Sequence, residues 1–329
     1  MIQPRISIII PTLNQGQYIE TAIVSVLNQH YENLQLIVID GGSTDNTQEI
    51  ISRYSIRIQH YVSEKDSGQT EAINKGLKLA TGEIITWLNS DDLYQPGVFN
   101  LIVPYFKDST VGIVYGKAKT FGEKRKTRIV GNASDMPEHM YLPYMRIPQP
   151  AMFLSRLAIS AAGPLNQSLH FAMDFELTAK VVLAGFKIKR IENLIANYRF
   201  HETSKSNLNH KFLEEWTREV HAILCSADAA RFAGREMESL FNLPSKSGTN
   251  YTWRISLDHQ QAEDIFLEHL NFHFHEAYRD RNEKEMRRIA GYIKQKFPNY
   301  YTRKKYSVYL RRIRIFPGFL LNLTRKITR

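Results

Sequence analysis

Across residues 5–122 the chain alternates short β-rich apolar runs with helical patterns, and few folds accommodate that alternation other than a mostly parallel sheet wrapped by helices. Residues 6–10, an unbroken run of Ile and Ser, read as a buried strand. Ile19, Ala22, Ile23, Val26 and Leu27 then recur at the spacing of one helix face, which should cover that sheet. Residues 34–39 read as the next strand, and Gly41-Gly42-Ser43-Thr44-Asp45 supplies turn and cap chemistry before a helix through Arg53. A third strand is expected over residues 56–62. Residues 68–80 read as a helix with Ala72, Ile73, Gly76, Leu77 and Ala80 inward, and Gly82 beyond its end suits a left-handed cap. The apolar run from Ile84 to Leu88, ending at Asn89, completes the series.

Ligands in such sheets bind outside the carboxyl ends of the strands. The loops 11–16, 40–45 and 89–92 all lie at those ends, so the expectation is one crevice lined by Thr12, Asn14, Asp40, Asp91 and Asp92. Two adjacent carboxylates after a buried strand rarely serve packing. Burying an unpaired carboxylate is costly, so Asp91 and Asp92 imply a cation, a basic partner or an open crevice. A divalent ion bridging to a diphosphate suits them, since carboxylates and phosphate oxygens together hold Mg²⁺ or Mn²⁺. The plainer alternative is that one of them caps a helix starting near Pro96.

The middle of the chain is less regular: strand-like residues 111–118, a basic stretch over 122–128, a Pro-punctuated loop over 137–150, a helix from about Asp174 to Gly185, and strand-like residues 186–195 and 196–200. Beyond Ser204 long, charged helical patterns take over, which divides the chain into a domain of residues 1–205 and a helical extension of residues 206–329. The 43% apolar content is that of a globular chain. One cysteine, Cys225, and no signal-peptide pattern point to the cytoplasm, and no apolar run approaches the roughly 20 residues that span a bilayer. Much of the net charge of +10 sits after Tyr301, where nine basic residues occur without an Asp or Glu. There Tyr306, Tyr309, Leu310 and Ile313 recur at helical spacing among Lys305, Arg311, Arg312 and Arg314, followed by Phe316, Phe319, Leu320, Leu321 and Leu323. An amphipathic basic helix of this kind suits an anionic membrane surface, with docking on its own protein as the alternative. Nucleic acid is not expected, because no recognised module accompanies the charge.

A dehydrogenase needs a Gly-x-Gly-x-x-Gly turn, but the turn after the first strand reads Pro11-Thr12-Leu13-Asn14-Gln15-Gly16, and no Gly-x-x-x-x-Gly-Lys loop occurs. Ile8-Ile9-Ile10-Pro11-Thr12-Leu13-Asn14, Val38-Ile39-Asp40-Gly41-Gly42-Ser43-Thr44-Asp45-Asn46-Thr47 and Gly82-Glu83-Ile84-Ile85-Thr86-Trp87-Leu88-Asn89-Ser90-Asp91-Asp92 resemble, in order and spacing, the family 2 glycosyltransferases of GT-A fold. The resemblance covers roughly residues 6–204. It implies an inverting transfer of a sugar from a nucleotide diphosphate donor, UDP first with GDP and dTDP open, to an acceptor hydroxyl, as in bacterial surface-glycan synthesis on lipid-linked or polysaccharide acceptors. By the resemblance Pro11, Thr12, Asn14 and Asp40 would contact the nucleoside, Asp66, Gln69 and Asn74 would border the same pocket, and Asn89 and Ser90 would complete the donor side. Asp91 would bind the metal, Mn²⁺ or Mg²⁺, with Asp92 beside it. The family commonly carries Asp where this chain has Asn89, which brings hydrogen bonds but no charge.

An inverting displacement needs a base for the acceptor proton. In Ala172-Met173-Asp174-Phe175-Glu176-Leu177 the resemblance assigns that role to Asp174, with Met173 standing where the family often has Glu. Glu176 is the rival, but two positions along a helix face away. His201, in Arg199-Phe200-His201-Glu202-Thr203-Ser204, resembles an element whose histidine reaches the metal or diphosphate, and Gln149-Pro150-Ala151 and Arg156 would shape the acceptor side. His269 and His273 stand four apart, yet the run lacks the His-Glu-x-x-His glutamate and reads as packing rather than zinc. A noncatalytic sugar-nucleotide-binding scaffold of the same fold is the competing reading; a nucleotidyltransferase would need a Gly-rich phosphate loop near the N-terminus.

Overall fold

The computed structural model describes residues 3–122, 126–132, 134–202, 204–205, 209–245, 249, 251 and 256–315. They fall into two compact units divided between His259 and Gln260. The first unit runs β1 (Ile6–Thr12), α1 (Ile19–Leu27), β2 (Leu34–Asp40), α2 (Thr47–Ser52), β3 (His60–Ser63), α3 (Gln69–Leu79), β4 (Ile84–Trp87), β5 (Leu93–Tyr94), α4 (Val98–Ile102), β6 (Val111–Phe121), β7 (Arg128–Val130), β8 (Met152–Ser155), α5 (Arg156–Ala162), α6 (Met173–Leu183), β9 (Lys187–Arg199), α7 (Asn209–Ser226) and α8 (Arg231–Phe241). The division expected after residue 205 falls earlier than the one observed, since α7 and α8 belong to this unit.

The strands form one sheet in the order β3-β2-β1-β4-β8-β6-β9-β5, with β7 paired to β6. Its first four strands are all parallel, as the alternating pattern implies, and the register sets Thr12 beside Asp40 and Asp40 beside Ser63 at their carboxyl ends. β8 then lies antiparallel between β4 and β6, and β9 runs parallel to β6. Every residue of β1 is buried, because helices cover both faces. Ile6, Ile8 and Ile10 join Ile19, Ala22, Ile23 and Val26 of α1 in one apolar cluster. On the other face α3 lies so close that a Cβ at Gly76 would stand 2.4 Å from Ile9 Cγ2.

Two local expectations are corrected. The strand expected over residues 56–62 is shorter, β3 beginning at His60, because Ser55–Arg57 forms a 3-10 turn with Ile56 96% exposed. Pairing with the neighbouring strand starts only where Gln59 N–H donates to Leu36 O (2.9 Å). Gly82 is not a left-handed cap; α3 ends at Leu79 in extended Ala80. Glycine is needed at 82 for proximity, since a Cβ there would lie 2.6 Å from Ser7 N and 2.7 Å from Arg5 O.

The second unit holds α9 (His259–Arg279), α10 (Glu283–Lys296), α11 (Pro298–Arg303) and α12 (Tyr306–Ile315). His269 and His273 are buried on α9 with their Nε2 atoms 3.2 Å apart. The apolar face of α12 is taken up within the unit: Tyr306 is fully buried, its ring 4.5 Å from that of Phe274 and its hydroxyl donating to Asn271 Oδ1 (3.0 Å), while the Tyr309 and Tyr278 rings lie 5.2 Å apart. Tyr306 and Ile313 are thus packed as the docking alternative has it, while Tyr309 and Leu310 are half-buried. Phe316, Phe319, Leu320, Leu321 and Leu323 lie outside the described residues. Among the described residues no helix is long and apolar enough to cross a membrane.

Overpacking a close helix–sheet contact costs about 1–3 kcal/mol. Gly76→Ala is therefore expected to lower the unfolding free energy by about that much in urea denaturation, and the double variant with Ile9→Ala should cost less than the two single losses added together. Additive losses would show that α3 and β1 do not meet as described.

Candidate active site

The carboxyl ends of the parallel strands converge as the sequence implies, but the side chains divide into two groups. Asp40 is fully buried and engaged: Oδ1 accepts from Ser43 N–H (3.0 Å) and Ser43 Oγ (2.5 Å), and Oδ2 from Ser63 Oγ (2.7 Å). Ser43 Oγ accepts in turn from Asn14 N–H (2.8 Å), and Asn14 Oδ1 from Thr44 N–H (2.8 Å), with Asn14 at φ 52°. These two residues hold the first two loops together. Asn74 likewise points away from the crevice, exchanging hydrogen bonds with the backbone of Leu165 (2.9 Å each way).

The acids after β4 part company as well. Asp92 is fully buried and Oδ1 accepts from Arg199 N–H (2.8 Å); burial, and then the neighbouring Asp91, push its pKa well above the usual carboxylate range. Asp91 faces the other way, with Oδ2 2.9 Å from His201 Nε2, while its carbonyl accepts from Arg199 Nε (2.9 Å). The Arg199 guanidinium is stacked over the rings of Tyr18 (4.7 Å) and Phe121 (4.5 Å). One arginine at the end of β9 thus orients both acids.

Asn89 is the centre of a chain of amides whose polarity is fixed at both ends. Trp87 O can only accept, so Gln149 turns its Nε2 to it (2.9 Å) and presents Oε1 to Asn89 Nδ2 (3.2 Å). Asn89 Oδ1 then accepts from Gln69 Nε2 (2.7 Å), and Gln69 Oε1 from Lys205 Nζ (3.1 Å), which can only donate. A carboxylate at position 89 would set an oxygen against Gln149 Oε1, which accounts physically for the neutral residue there.

Asp174 lies in the first turn of α6 with Oδ1 accepting from Phe175 N–H (2.8 Å). Burial raises its pKa to about 6 against the opposing pull of backbone hydrogen bonds and Lys205. Glu176 is turned into the protein, fully buried and paired with Lys180, with its pKa raised to about 7 chiefly by burial.

A cavity of about 380 Å³ gathers Pro11, Thr12, Asp66, Gln69, Asn89, Ser90, Asp91, Gln149, Asp174 and His201 in its wall. Asn14, Asp40, Asn74 and Asp92 are not in that wall. Sequence reasoning gave no role to Arg199, Lys205 or His170, which are; Arg199 and Lys205 flank His201 at two and four positions, and that spacing was the available signal. Thr12 Oγ1 and Gln15 Oε1, in residues of this wall, are buried and have no hydrogen-bond partner among the described residues, as polar atoms awaiting a ligand would.

The Glycosyl transferase family 2 pattern matches residues 7–158. Those residues form a domain of that family. The chain is 30% identical over 238 residues to an uncharacterized glycosyltransferase of Rickettsia felis, covering 66% of this chain and 39% of the relative. Glycosyltransferase GlyA of Streptococcus pneumoniae is 25% identical over 249 residues, covering 68% of this chain and 34% of GlyA. The chain thus spans well under half the length of these relatives. The GT-A fold is shared with S. aureus TarS 1-349 in complex with UDP-GlcNAc (TM-score 0.60, 17% identity, covering 94% of this chain and 90% of that one). The mannosyltransferase PcManGT of Pyrobaculum calidifontis, in complex with GDP-Man and Mn²⁺, gives 0.55 at 18% identity, covering 95% and 87%.

For the family 2 domain, the amide chain makes a specific demand on residue 89. Asn89→Asp in chelated buffer is expected to lower the unfolding free energy by about 1 kcal/mol, toward the low end of the cost of opposed acceptors because Asn89 and Gln149 are half-buried. Unchanged denaturation curves would show that Gln149 is free to turn over.

Proposed function

We propose that this chain is a metal-dependent, inverting glycosyltransferase that moves a sugar from a nucleotide diphosphate donor, a UDP-sugar first among them, to a hydroxyl of a lipid-linked or polysaccharide acceptor. The observation that carries this reading is that one cavity holds the Asp91 and His201 pair and Asp174 in its wall. The Thr12 hydroxyl and Gln15 carbonyl of the same wall, buried and without a hydrogen-bond partner among the described residues, support a polar ligand there. Among proteins of the same fold, one is complexed with UDP-GlcNAc and another with GDP-Man and Mn²⁺.

The donor set fits a small divalent ion. Neighbouring ligands of an octahedral ion bound at about 2.0–2.1 Å stand about 2.9 Å apart, and Asp91 Oδ2 and His201 Nε2 are separated by 2.9 Å. Those two residues would hold Mn²⁺ or Mg²⁺, which when bound offsets negative charge on the departing diphosphate. Asp92, turned to the Arg199 backbone, supports Asp91 from behind.

Asp174 supplies the proton acceptor. As the acceptor oxygen bonds to the anomeric carbon, the bond from that carbon to the diphosphate breaks on the opposite face. The nucleoside diphosphate leaves with the electron pair, and the hydroxyl proton passes to the Asp174 carboxylate. A pKa of about 6 suits this role: the group is ionised near neutrality yet more basic than an exposed aspartate.

Thermal-shift titration with UDP-GlcNAc and GDP-mannose, with and without Mn²⁺, tests the reading directly, because a bound donor stabilises the fold. A metal-dependent shift that disappears in Asp91→Ala is expected; no shift with any sugar nucleotide would refute the assignment. Asp174→Asn should retain that shift and lose about 10²–10⁴ in turnover. Wild-type turnover should fall as pH drops through about 6, where Asp174 takes up a proton. Its folded pKa lies above the unfolded value, so the stability this carboxyl contributes is present in acid and lost as pH rises from about 4 to about 6. Asp174→Asn should therefore melt higher than wild type at about pH 8, with the gap closing near pH 4.

A further inference from the structure

α6 starts without a cap of its own, because Ala172, which precedes it, has no side chain that can accept a hydrogen bond. The acceptor comes from elsewhere in the chain. Glu215 on α7 takes the N–H groups of His170 (3.0 Å to Oε1 and 3.2 Å to Oε2), Phe171 (2.8 Å) and Ala172 (2.9 Å). Lys205 holds the same loop by its carbonyl edge, donating to His170 O (3.1 Å) as well as to Gln69 Oε1 (3.1 Å).

We propose that Glu215 is a positioning residue for sugar transfer: its carboxylate clamps the entry to α6 and so sets where Asp174, two residues inside, stands in the cavity. The inference rests on the reading of Asp174 as the base. A carboxylate matches the clamp in two ways, since residues 170–172 present three successive N–H groups just ahead of α6 and the positive end of the helix lies beside them. Its two oxygens serve three donors in a row; an amide would offer one oxygen and turn its NH₂ against an N–H. Glu215 and residues 170–172 all lie beyond the region that the family pattern matches, so this contact is made by the later part of the same unit rather than by the matched motifs.

Charge adds a second signature. Lys205 lowers and Glu215 raises the Asp174 pKa, and His170, Asp66, Asp91 and His201 share its cavity wall. Removing the Glu215 charge should make Asp174 more acidic while the clamp loosens.

The test compares wild type, Asp174→Asn, Glu215→Gln and Glu215→Asp, following release of UDP or GDP from UDP-GlcNAc or GDP-mannose with Mn²⁺. For Glu215→Gln, kcat should drop about 10- to 100-fold, as displaced reacting groups do, with donor KM within about twofold and the acid limb of the kcat profile moved to lower pH. Glu215→Asp, which keeps the charge on a shorter arm, should lose kcat but hold the acid limb near that of wild type. Unchanged kcat and acid limb in Glu215→Gln, with only a lower melting temperature, would overturn the clamp. Equal loss of kcat and donor affinity in both Glu215 variants would overturn it too, as general damage. Full turnover by Asp174→Asn would instead remove the base reading itself, whatever the Glu215 variants do.

Discussion

A carboxyl group with no accessible surface must be given a partner, and for Asp92 that partner is the backbone N–H of Arg199, 107 residues away. The rest of this wall of the cavity depends on this latch. It joins the end of β9 to the end of β4, although β8 and β6 lie between them in the sheet. With the strand ends held together, Arg199 Nε reaches the Asp91 carbonyl and His201 comes within 2.9 Å of the Asp91 carboxylate. Tyr18 and Phe121 stack on the guanidinium and keep it in place. The two adjacent acids therefore do different work: one supports the wall from behind, and the other forms part of it.

Strands announced themselves because their residues are apolar over several consecutive positions, and the loops at their carboxyl ends followed from the parallel arrangement. That is why Thr12 and Asp91 could be placed at one crevice from residue order, together with Asn14, Asp40 and Asp92, which lie outside its wall, whereas Asn89 and Asp174 were reached through the resemblance. Asp40 was harder, because its partners Ser43 and Ser63 are supplied by a loop and by the next strand, and only their register brings two hydroxyls and an N–H onto one carboxylate. Ile56 carried a strand-like pattern, but a pattern does not tell whether a neighbouring strand is within reach. Gly82 shows the same limit: its glycine answers to the backbone of Arg5 and Ser7, which nothing in residues 80–84 reveals. The amide chain was invisible for another reason, since Gln69, Asn89, Gln149 and Lys205 lie on four separate stretches and none carries a pattern of its own. The resemblance drew attention to Asn89 as a departure; its neighbours explain why an uncharged group belongs there.

The place of β6 in the sheet bears on how this protein can be dissected. It is hydrogen-bonded on one side to β8 and on the other, along nearly its whole length, to β9. β9 begins at Lys187, well past residue 158 where the family pattern stops. A fragment trimmed to the recognisable motif would bare the eleven-residue flank of β6 as a row of unsatisfied amides, the kind of surface that recruits strands from other molecules. What evolution repeats most visibly in this chain and what folds by itself are thus different lengths of polypeptide.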